Sequence, residues 1–566
     1  DQTDAEIRTA TQLNFTATSN IGLGANAVDS ITTGDYNVGI GDNALTANTT
    51  GSYGTGIGQG ALTANTTGEY NTAVGRNALA ANTTASNNTS VGTNSMDANS
   101  TGANNTALGK NTLGANTTAN DNTAVGYHAL AANTTANDNT AVGYAALTAN
   151  TTGRINTAVG KSSLAANTTG TDNSAFGGLT LDANTTGANN TALGYAALSA
   201  NTTASNNTAV GFIALAANTT GAYNVALGGQ ALASNTTAIF NTAVGYNALT
   251  TTVTGQENTA VGMEALKVNT AHYNTAVGSK SLTANTTGTE NVAVGYYSLK
   301  TNTTGGYNVA AGVDALEVNT TGASNVAIGY KSLGTNTTAS QNTAVGSHSL
   351  LSSSTGNANT CIGYSAGRSV TTGTTNTFIG YQAGQDTYAT TTGSGNVAIG
   401  YNTRPGNQTG NAIVIGTDIQ IDGNYFAFGK ASNMVYNGFT SNASWTRLSD
   451  ERLKKDIQTN TLGLNFINDL RPVTYKWKDS RDLDQSDPHM ALEYDADKNR
   501  NDSDTTFHGF IAQEVKAALD NAGVDNHGAW DVQSTGIQGV SLEAMVTPLV
   551  KAVQELSAKV KALEEA

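Results

Sequence analysis

A 17-residue stretch that recurs along most of the chain decides the fold, and residues 139–155, NTAVGYAALTANTTGRI, show its consensus form. Its NTAVG-like start falls at residue 20 and then every 17 residues as far as Asn258. After one 16-residue step to Asn274, the 17-residue spacing resumes and continues to Asn376. Looser copies start at Asn396, Asn411 and Tyr425. A fixed period of this length is typical of proteins in which each repeat forms one coil of a stack.

The repeat is too short for a helix pair, and its apolar residues lack a 3.6-residue period, but it suits two short strands and two turns. The Gly after each TAV offers a position without Cβ for a tight turn, and the NTTG segment is rich in residues that hydrogen-bond their own backbone. The sequence therefore predicts a mainly β protein with a β-solenoid or β-roll shaft. Roughly 25 coils that advance about 4.8 Å each give a shaft on the order of 120 Å long.

The apolar residues of each repeat predict that the shaft oligomerises. Ala141 and Val142 are neighbours in the first strand, so they point to opposite faces, yet both are apolar. The interior of one small coil covers one of these faces, and we expect another chain to cover the other. We expect Ala146 and Leu147 to form the second strand, with one face of that strand in water.

Polar residues of the repeat have two interpretations. The NTT or NST segments are glycosylation sequons, and they are also suited to stacking as ladders in a solenoid, which we favour. Examples start at Asn48, Asn65, Asn82, Asn99, Asn116 and Asn133. Cys361 occupies the Ala position of its repeat, which indicates a small buried apolar residue. We interpret scattered acidic residues as solvated turn residues, among them Asp97, Asp121, Asp138, Asp172 and Asp182.

Charge divides the chain into two parts. Of the 26 basic and 41 acidic residues, 14 and 21 lie from Arg447 onward, although this part has only 120 of the 566 residues. The net charge of −15 disfavours nucleic acid or an anionic membrane as a general partner. The sequence has no run of 18 apolar residues, so we expect no direct membrane insertion, and its His residues and Cys361 lack metal-ligand spacing. We expect neither a cofactor nor a metal.

These patterns predict four segments. Residues 1–19 form a lead-in, residues 20–392 the regular repeats, residues 393–445 irregular β repeats with a junction, and residues 446–566 a small α+β domain. The last segment ends in a predicted coiled-coil helix over residues 542–566. Its seam has alternating steps of four and three residues: Leu542, Val546, Leu549, Val553, Leu556, Val560 and Leu563. We expect Thr547 to cap this helix and Pro548 to take its first position.

The repeats resemble the head repeats of trimeric autotransporter adhesins, in which strings such as NTAVGYNAL build a left-handed parallel β-roll of three chains. The period of 17 residues is longer than is usual in those heads. This resemblance implies a trimeric shaft. Similar repeats occur in fibre-like proteins of phages and bacterial surfaces.

After the repeats, the order SDERLKKDI from Ser449, LGLNFINDLRPVTYKWKD, HGFIAQEVKAAL and a terminal heptad helix resembles another family. It is similar to the C-terminal intramolecular chaperone of phage tailspikes and tail fibres, a self-cleaving serine endopeptidase domain. That module also occurs in some bacterial surface proteins and in a eukaryotic membrane-bound transcription factor. The resemblance implies that residues 446–566 help three chains to assemble and are then released.

By the same resemblance, the catalytic residues are Ser449 and Lys454, with Asp450 as the usual acidic neighbour, and the cut falls between Leu448 and Ser449. Local physics alone interprets Ser449 as a helix N-cap with Asp450 in the first turn. As a nucleophile, the Ser449 hydroxyl needs a base, and a lysine amine accepts a proton only in its neutral form, which burial or nearby cations favour.

Five residues along a helix are separated by about 140°, which would keep the Ser449 and Lys454 side chains apart. Either the segment starts with non-helical backbone, or Lys454 acts on the Ser449 of a neighbouring chain. The chain is at most an enzyme that acts once on itself. We interpret His508 as a core residue and Glu514 as a polar helix cap rather than as catalytic groups.

The first functional hypothesis is a homotrimeric fibre, located on a virion tail or similar appendage, that attaches to a receptor or glycan on a host cell. The alternative is a bacterial surface adhesin or extracellular filament that uses the same chaperone. The third and weakest is a tailspike that degrades a surface glycan, which requires a carboxylate-lined groove that the sequence does not predict.

Overall fold

Each coil of the shaft contributes one three-residue strand to a continuous parallel sheet. In the strand Thr140–Val142, Ala141 is completely buried, whereas both flanking residues are partly exposed. The strand pairs in register with Thr123–Val125 in the preceding coil and Thr157–Val159 in the next coil, so that Ala lies beside Ala. The 17-residue period therefore equals one turn of a β-solenoid, as predicted.

The computed structural model describes residues 13–14, 19–385, 392–406, 410–421, 423–431, 433–438, 446–447, 449–487, 490, 494, 496, 503–525, 527–533 and 536–566. The chain divides into two compact units, a shaft unit over Asp1–Leu448 and a C-terminal unit over Ser449–Ala566. This division coincides with the bond at which the sequence predicts cleavage. Predicted features at residues 1–12 and 15–18 and at Leu448 lie outside the described residues.

In chain order, the strands of the shaft unit, β1 to β30, are Leu13–Asn14, Ile21–Leu23, Val38–Ile40, Thr55–Ile57, Thr72–Val74, Thr89–Val91, Thr106–Leu108, Thr123–Val125, Thr140–Val142, Thr157–Val159, Ser174–Phe176, Thr191–Leu193, Thr208–Val210, Val225–Leu227, Thr242–Val244, Thr259–Val261, Thr275–Val277, Val292–Val294, Val309–Ala311, Val326–Ile328, Thr343–Val345, Thr360–Ile362, Thr377–Ile379, Val397–Tyr401, Arg404–Pro405, Ile413–Thr417, Gln420–Ile421, Tyr425–Lys430, Asn433–Gly438 and Thr446–Arg447. Strands β2 to β24 stack in parallel in chain order, followed by β26 and β28. Strands β28, β29 and β30 then pair antiparallel.

The second segment of the repeat forms turns, so the predicted second strand is wrong. Leu147 has a φ of 51°, in the left-handed region, and both Ala146 and Leu147 are completely buried. The left-handed conformation costs a residue with a Cβ about 1–2 kcal/mol. Complete burial of a Leu side chain stabilises by about 1.5–3 kcal/mol, which offsets that cost. The coil thus turns its large apolar residue inward rather than leaving one face in water.

The glycine that ends each regular strand is required by the neighbouring coil. Gly211 has a φ of +139°, and a Cβ on it would lie 2.5 Å from the carbonyl oxygen of Gly228, the equivalent residue one coil later. Both the backbone conformation and the close stacking exclude a side chain here. The predicted role of this glycine in a tight turn is confirmed.

Two ladders of asparagine side chains run through the shaft. In the first, the Asn122 backbone N–H donates to Oδ1 of Asn105 at 3.0 Å. In the second, Nδ2 of Asn150 donates to Oδ1 of Asn133 at 2.9 Å and to the Gly153 carbonyl at 2.9 Å. These asparagines are completely buried. Because a glycan requires an accessible amide nitrogen, their burial agrees with the ladder interpretation of the NTT segments.

The single 16-residue step does not disturb the strand register. Thr259 still pairs with Thr275, so the missing residue is absorbed in the turn before Asn274. There Nδ2 of Asn269 donates to the carbonyl of Ala271, two residues on, whereas the same bond in regular coils spans three residues. The turn shortens while the stacked strands remain aligned.

The outward residue of the strands forms an exposed apolar stripe. Leu108, Leu193 and Ile328 are 48%, 49% and 41% exposed at this position. This is the second apolar strand face that the sequence predicts. Cys361, at the inward position, is completely buried, which confirms its interpretation as a core residue, and desolvation raises the pKa of its thiol.

The C-terminal unit packs helices and two antiparallel strand pairs around a small core. Its strands β31 to β34 are Val473–Tyr475, Phe507–Gly509, Trp530–Val532 and Gln538–Val540. Its α-helices α1 to α3 are Leu464–Asp469, Ala512–Asn521 and Val546–Glu564, and its 3-10 turns are Glu451–Leu453, Ser480–Asp482 and Glu543–Met545. Its buried core consists of Leu462, Phe466, Val515, Ala518, Leu519, Ala529 and Met545.

The cap predicted for the terminal helix, Thr547, is wrong. Met545 is its N-cap residue, and Pro548 lies within its first turn rather than at its first position. Proline is tolerated there because the N–H groups of the first turn have no partner inside the helix. In the described part of the chain, no helix combines the length and apolar character needed to cross a membrane.

Candidate active site

The first six residues of the C-terminal unit form a tight turn. Glu451–Leu453 is a 3-10 turn, and the Asp450 side chain caps it by accepting a hydrogen bond from the Arg452 backbone N–H at 2.9 Å. The expectation that Ser449 is the N-cap is therefore wrong. Asp450 takes that position because its extended backbone, with φ −65° and ψ 132°, aims its carboxylate at the turn.

This turn brings Ser449 and Lys454 together. Nζ of Lys454 donates a hydrogen bond to Oγ of Ser449 at 2.7 Å. The helical segment between them is only three residues long, and Lys454 already has extended backbone, with φ −112° and ψ 149°. The 140° separation expected along a continuous helix does not arise. The predicted pair therefore meets within one chain, and both of its side chains are exposed.

Asp450 is held by Arg452, two residues later in the same turn. Nε of Arg452 donates to Oδ1 of Asp450 at 3.0 Å, and Nη2 donates to Oδ2 at 2.6 Å. This two-pronged hydrogen bond lowers the pKa of Asp450, and the Arg452 backbone N–H and the charge of Lys454 lower it further. We call the Asp450–Arg452 pair the Asp–Arg clamp.

The other polar residues singled out in the sequence have different roles from those predicted. His508 lies in β32 and is exposed, so the core-packing prediction is wrong. Glu514 lies in the first turn of α2, but it does not cap the helix; it forms an ion pair with Arg471, with Nε to Oε2 at 3.1 Å. This ion pair lowers the pKa of Glu514 and connects α2 to the chain after α1.

The predicted coiled-coil seam lies on an uncovered face of α3. Val546, Leu549, Val553 and Leu556 are about half exposed, and Leu563 is 78% exposed. A different face of the helix packs within the unit, where Ala552 is buried and Glu555 accepts from the Leu464 N–H at the start of α1 at 2.9 Å. The seam residues thus remain available for contacts outside the unit.

Two acidic residues of the shaft have pKa values raised by burial, but they lie too far apart to form a hydrolase pair. Asp97 and Asp182 are half-buried, not solvated as expected, and desolvation raises the pKa of each. They occupy the same place in coils that are 85 residues, or five coils, apart. That separation is about 24 Å along the stack. Paired glycosidase carboxylates lie about 5–9.5 Å apart.

The described residues contain no group of three or more His, Cys, Asp or Glu side chains that could hold a metal ion. Ser449 and Lys454 do offer a nucleophile and a base. In the arrangement described, the lysine donates to the hydroxyl. Activation of the serine requires the opposite polarity, with a neutral amine that accepts the hydroxyl proton.

A family model matches the chain from Ser449, the first residue of this site, through residue 524. The model is that of the chaperone of endosialidase, and we call the matched residues 449–524, which are similar to it, the chaperone segment. The chaperone segment contains the Ser449–Lys454 pair, the Asp–Arg clamp and α2, and it ends before α3. No curated protein and no solved structure matches the chain. Together, the β-solenoid and this match support a fibre-type protein with a C-terminal chaperone.

Sequence reasoning missed the contacts that organise the chaperone segment. The Asp–Arg clamp follows an Asp-x-Arg spacing that recurs at Asp479 and Arg481, where Asp479 again caps a 3-10 turn. This repetition was a usable signal. The contact of Glu555 with the start of α1 spans 91 residues and left no signal in the local sequence.

Proposed function

We propose that the chain is a homotrimeric fibre protein that attaches to a host surface, and that its C-terminal unit assembles three chains and then cuts itself off between Leu448 and Ser449. The 2.7 Å contact between Ser449 and Lys454, at the first residue of the chaperone segment, carries this proposal. A serine beside a lysine is a known type of nucleophile and base pair.

In the proposed reaction, Oγ of Ser449 attacks the carbonyl carbon of Leu448 while the neutral Lys454 amine takes the hydroxyl proton. The Leu448–Ser449 peptide bond breaks, the Ser449 nitrogen receives that proton and becomes a free amine, and an ester joins the Leu448 carbonyl to Oγ. Water then hydrolyses the ester, which releases the Leu448 carboxyl group and restores the Ser449 hydroxyl. No external co-reactant other than water is needed.

Trimer assembly would shield the Ser449–Lys454 pair from water, which a single chain does not do. The Ser449 and Lys454 side chains are exposed in the single chain, whereas burial against further copies would exclude water from the pair. The apolar seam on α3 and the apolar stripe on the shaft are surfaces that further copies of the chain would bury. Cleavage that waits for assembly would release the C-terminal unit only from correctly formed fibres.

The experiment is the intact mass and oligomer size of the full-length chain, of one serine variant and of two lysine variants. The parent should separate into fragments 1–448 and 449–566, and Ser449→Ala should remain one trimeric chain. Lys454→Ala should also remain uncut. Lys455→Ala, which changes the adjacent exposed lysine, should cleave like the parent. An uncut parent trimer would overturn the autocleavage proposal and leave the C-terminal unit as a structural clamp.

The dependence on assembly has its own test. Leu556→Asp places a carboxylate in the seam and should yield uncut monomers, since three buried carboxylates would repel. Gln554→Asp adds the same charge outside the seam and should leave trimer and cleavage intact. A monomeric Leu556→Asp chain that still cuts itself would show that assembly is not required.

A further inference from the structure

Two cations compete for one carboxylate beside the proposed nucleophile. Asp450 lies between Ser449 and Lys454 in sequence, and both of its oxygens accept hydrogen bonds from the Arg452 guanidinium. The Lys454 charge also acts on this carboxylate, after the stronger effect of the hydrogen bonds from Arg452. Arg452 holds the carboxylate, and Lys454 is left to contact the hydroxyl.

We propose that Arg452 is a positioning residue for autocleavage: it occupies the Asp450 carboxylate so that Lys454 pairs with Ser449 instead. This inference rests on the proposed function. A guanidinium suits the task because its planar fork matches both carboxylate oxygens, whereas an ammonium group acts as a point charge. Arg452 itself is 88% exposed and lacks a contact with Ser449 among the hydrogen bonds described, so it acts through Asp450.

Two consequences follow if Arg452 is removed. The unpaired Asp450 carboxylate attracts Lys454, which moves Nζ away from Oγ of Ser449. The same carboxylate stabilises the ammonium form of Lys454, which cannot accept the hydroxyl proton. Both effects slow the first step, and both depend on the charge of Asp450 rather than on its capping bond.

The unit contains a matched control. Asp479 and Arg481 form the same clamp around the 3-10 turn Ser480–Asp482, with the Arg481 N–H donating to Oδ1 at 2.9 Å and Nε donating to the same oxygen at 3.0 Å. The Asp-x-Arg clamp is therefore a turn-forming device in its own right. The first clamp lies between Ser449 and Lys454, which contact each other.

The test compares cleavage rates of full-length Arg452→Gln, Asp450→Asn/Arg452→Gln and Arg481→Gln, with trimer content and thermal unfolding measured on each. Arg452→Gln should slow cleavage between about 10-fold and 100-fold. The double variant should recover most of this loss, because asparagine still caps the turn but carries no charge. Arg481→Gln should cleave at the parental rate.

A purely structural role for Arg452 predicts the opposite pattern for the double variant. If the double variant is as slow as Arg452→Gln or slower, or if Arg452→Gln cleaves at the parental rate, the positioning role is wrong while autocleavage stands. If the parent does not cleave, the proposed function fails and this inference fails with it. Loss of the trimer in Arg452→Gln alone would also overturn the positioning role.

Discussion

The shaft and the C-terminal unit place their polar groups in opposite ways. The shaft buries neutral asparagines in ladders, such as Asn133 to Asn150, and has few charges. The C-terminal unit has an apolar core and keeps its ion pairs near the surface, as in Arg471–Glu514 and Arg481–Asp479. An amide both donates and accepts, so identical amides can stack. Identical charges repel when they stack, which explains why the shaft sequence is so poor in charge.

In the proposed trimer, the same difference would leave the alignment of the chains to the C-terminal unit. Identical coils pair equally well in any register that is a multiple of 17 residues, so they cannot by themselves align three chains. The C-terminal unit is not repetitive, and its seam lies on a single helix, α3, with a defined start and end. Three predictions test how far this contrast extends, starting with the largest effect.

Gly211→Ala should destabilise the shaft by roughly 2–5 kcal/mol, because the new Cβ meets the Gly228 carbonyl and the φ of +139° suits only glycine. The control is Gly523→Ala in the C-terminal unit, where φ is +69° and a Cβ would meet nothing within 4 Å. That change should cost only about 1–2 kcal/mol. Denaturant unfolding of uncut Ser449→Ala chains, followed by circular dichroism, measures both. Equal losses would contradict the claim that neighbouring coils enforce the shaft glycines.

Thr252→Asn should stabilise the shaft by about 1 kcal/mol, because it repairs the second ladder. Among the described residues, Oδ1 of Asn235 and Oδ1 of Asn336 are buried without a hydrogen-bond partner. One coil later, the asparagine that would donate to each is replaced, by Thr252 and by Ser353 respectively. Ser353→Asn should therefore have a similar effect.

The same denaturant measurement applies, and Thr203→Ala, at an exposed position in a regular turn, should change stability by less than about 0.5 kcal/mol. If both ladder repairs destabilise the shaft, the unpaired oxygens are not the weak points of the ladder.

Acidification should change the stability of each unit slightly, and the shifted carboxylates of the two units should act in opposite directions. In the C-terminal unit, hydrogen bonds from arginine lower the pKa values of Asp450, Asp479 and Glu514, so the stability from these carboxylates is present above their unfolded pKa values and is lost as pH falls through the lowered ones. In the shaft, burial raises the pKa values of Asp97 and Asp182. The penalty for their charge is relieved as pH falls through the raised values.

Thermal unfolding between pH 7 and pH 3 checks this in a Trp445→Phe background, where fluorescence comes from Trp477 and Trp530 of the C-terminal unit. The fluorescence transition should move to lower temperature on acidification, while the circular dichroism transition of the shaft should not. Asp97→Asn/Asp182→Asn should remove the part of the shaft's pH response that these two carboxylates supply, and Asp172→Asn, at an exposed turn, should not. Parallel shifts of both transitions would contradict the contrast.

Sequence reasoning predicted the shaft more completely than the site. The solenoid, the strand-end glycines and the burial of Cys361 are confirmed, whereas the second strand of the repeat is wrong. The error arose because Ala146–Leu147 has an ordinary apolar pattern, and nothing local shows that Leu147 adopts a positive φ. Trimer assembly, host attachment and cleavage at Ser449 stay predictions.

The sequence by itself determined the features that depend on like residues meeting in adjacent coils. A 17-residue period places Asn above Asn, Ala above Ala and Gly above Gly, so the ladder, the core and the tight turn can all be inferred from one repeat. Tertiary structure alone decided that Asp450 caps the first turn and that Ser449 contacts Lys454. A spacing of five residues leaves the backbone angles open, and here a three-residue 3-10 turn with extended residues on both sides fixes them.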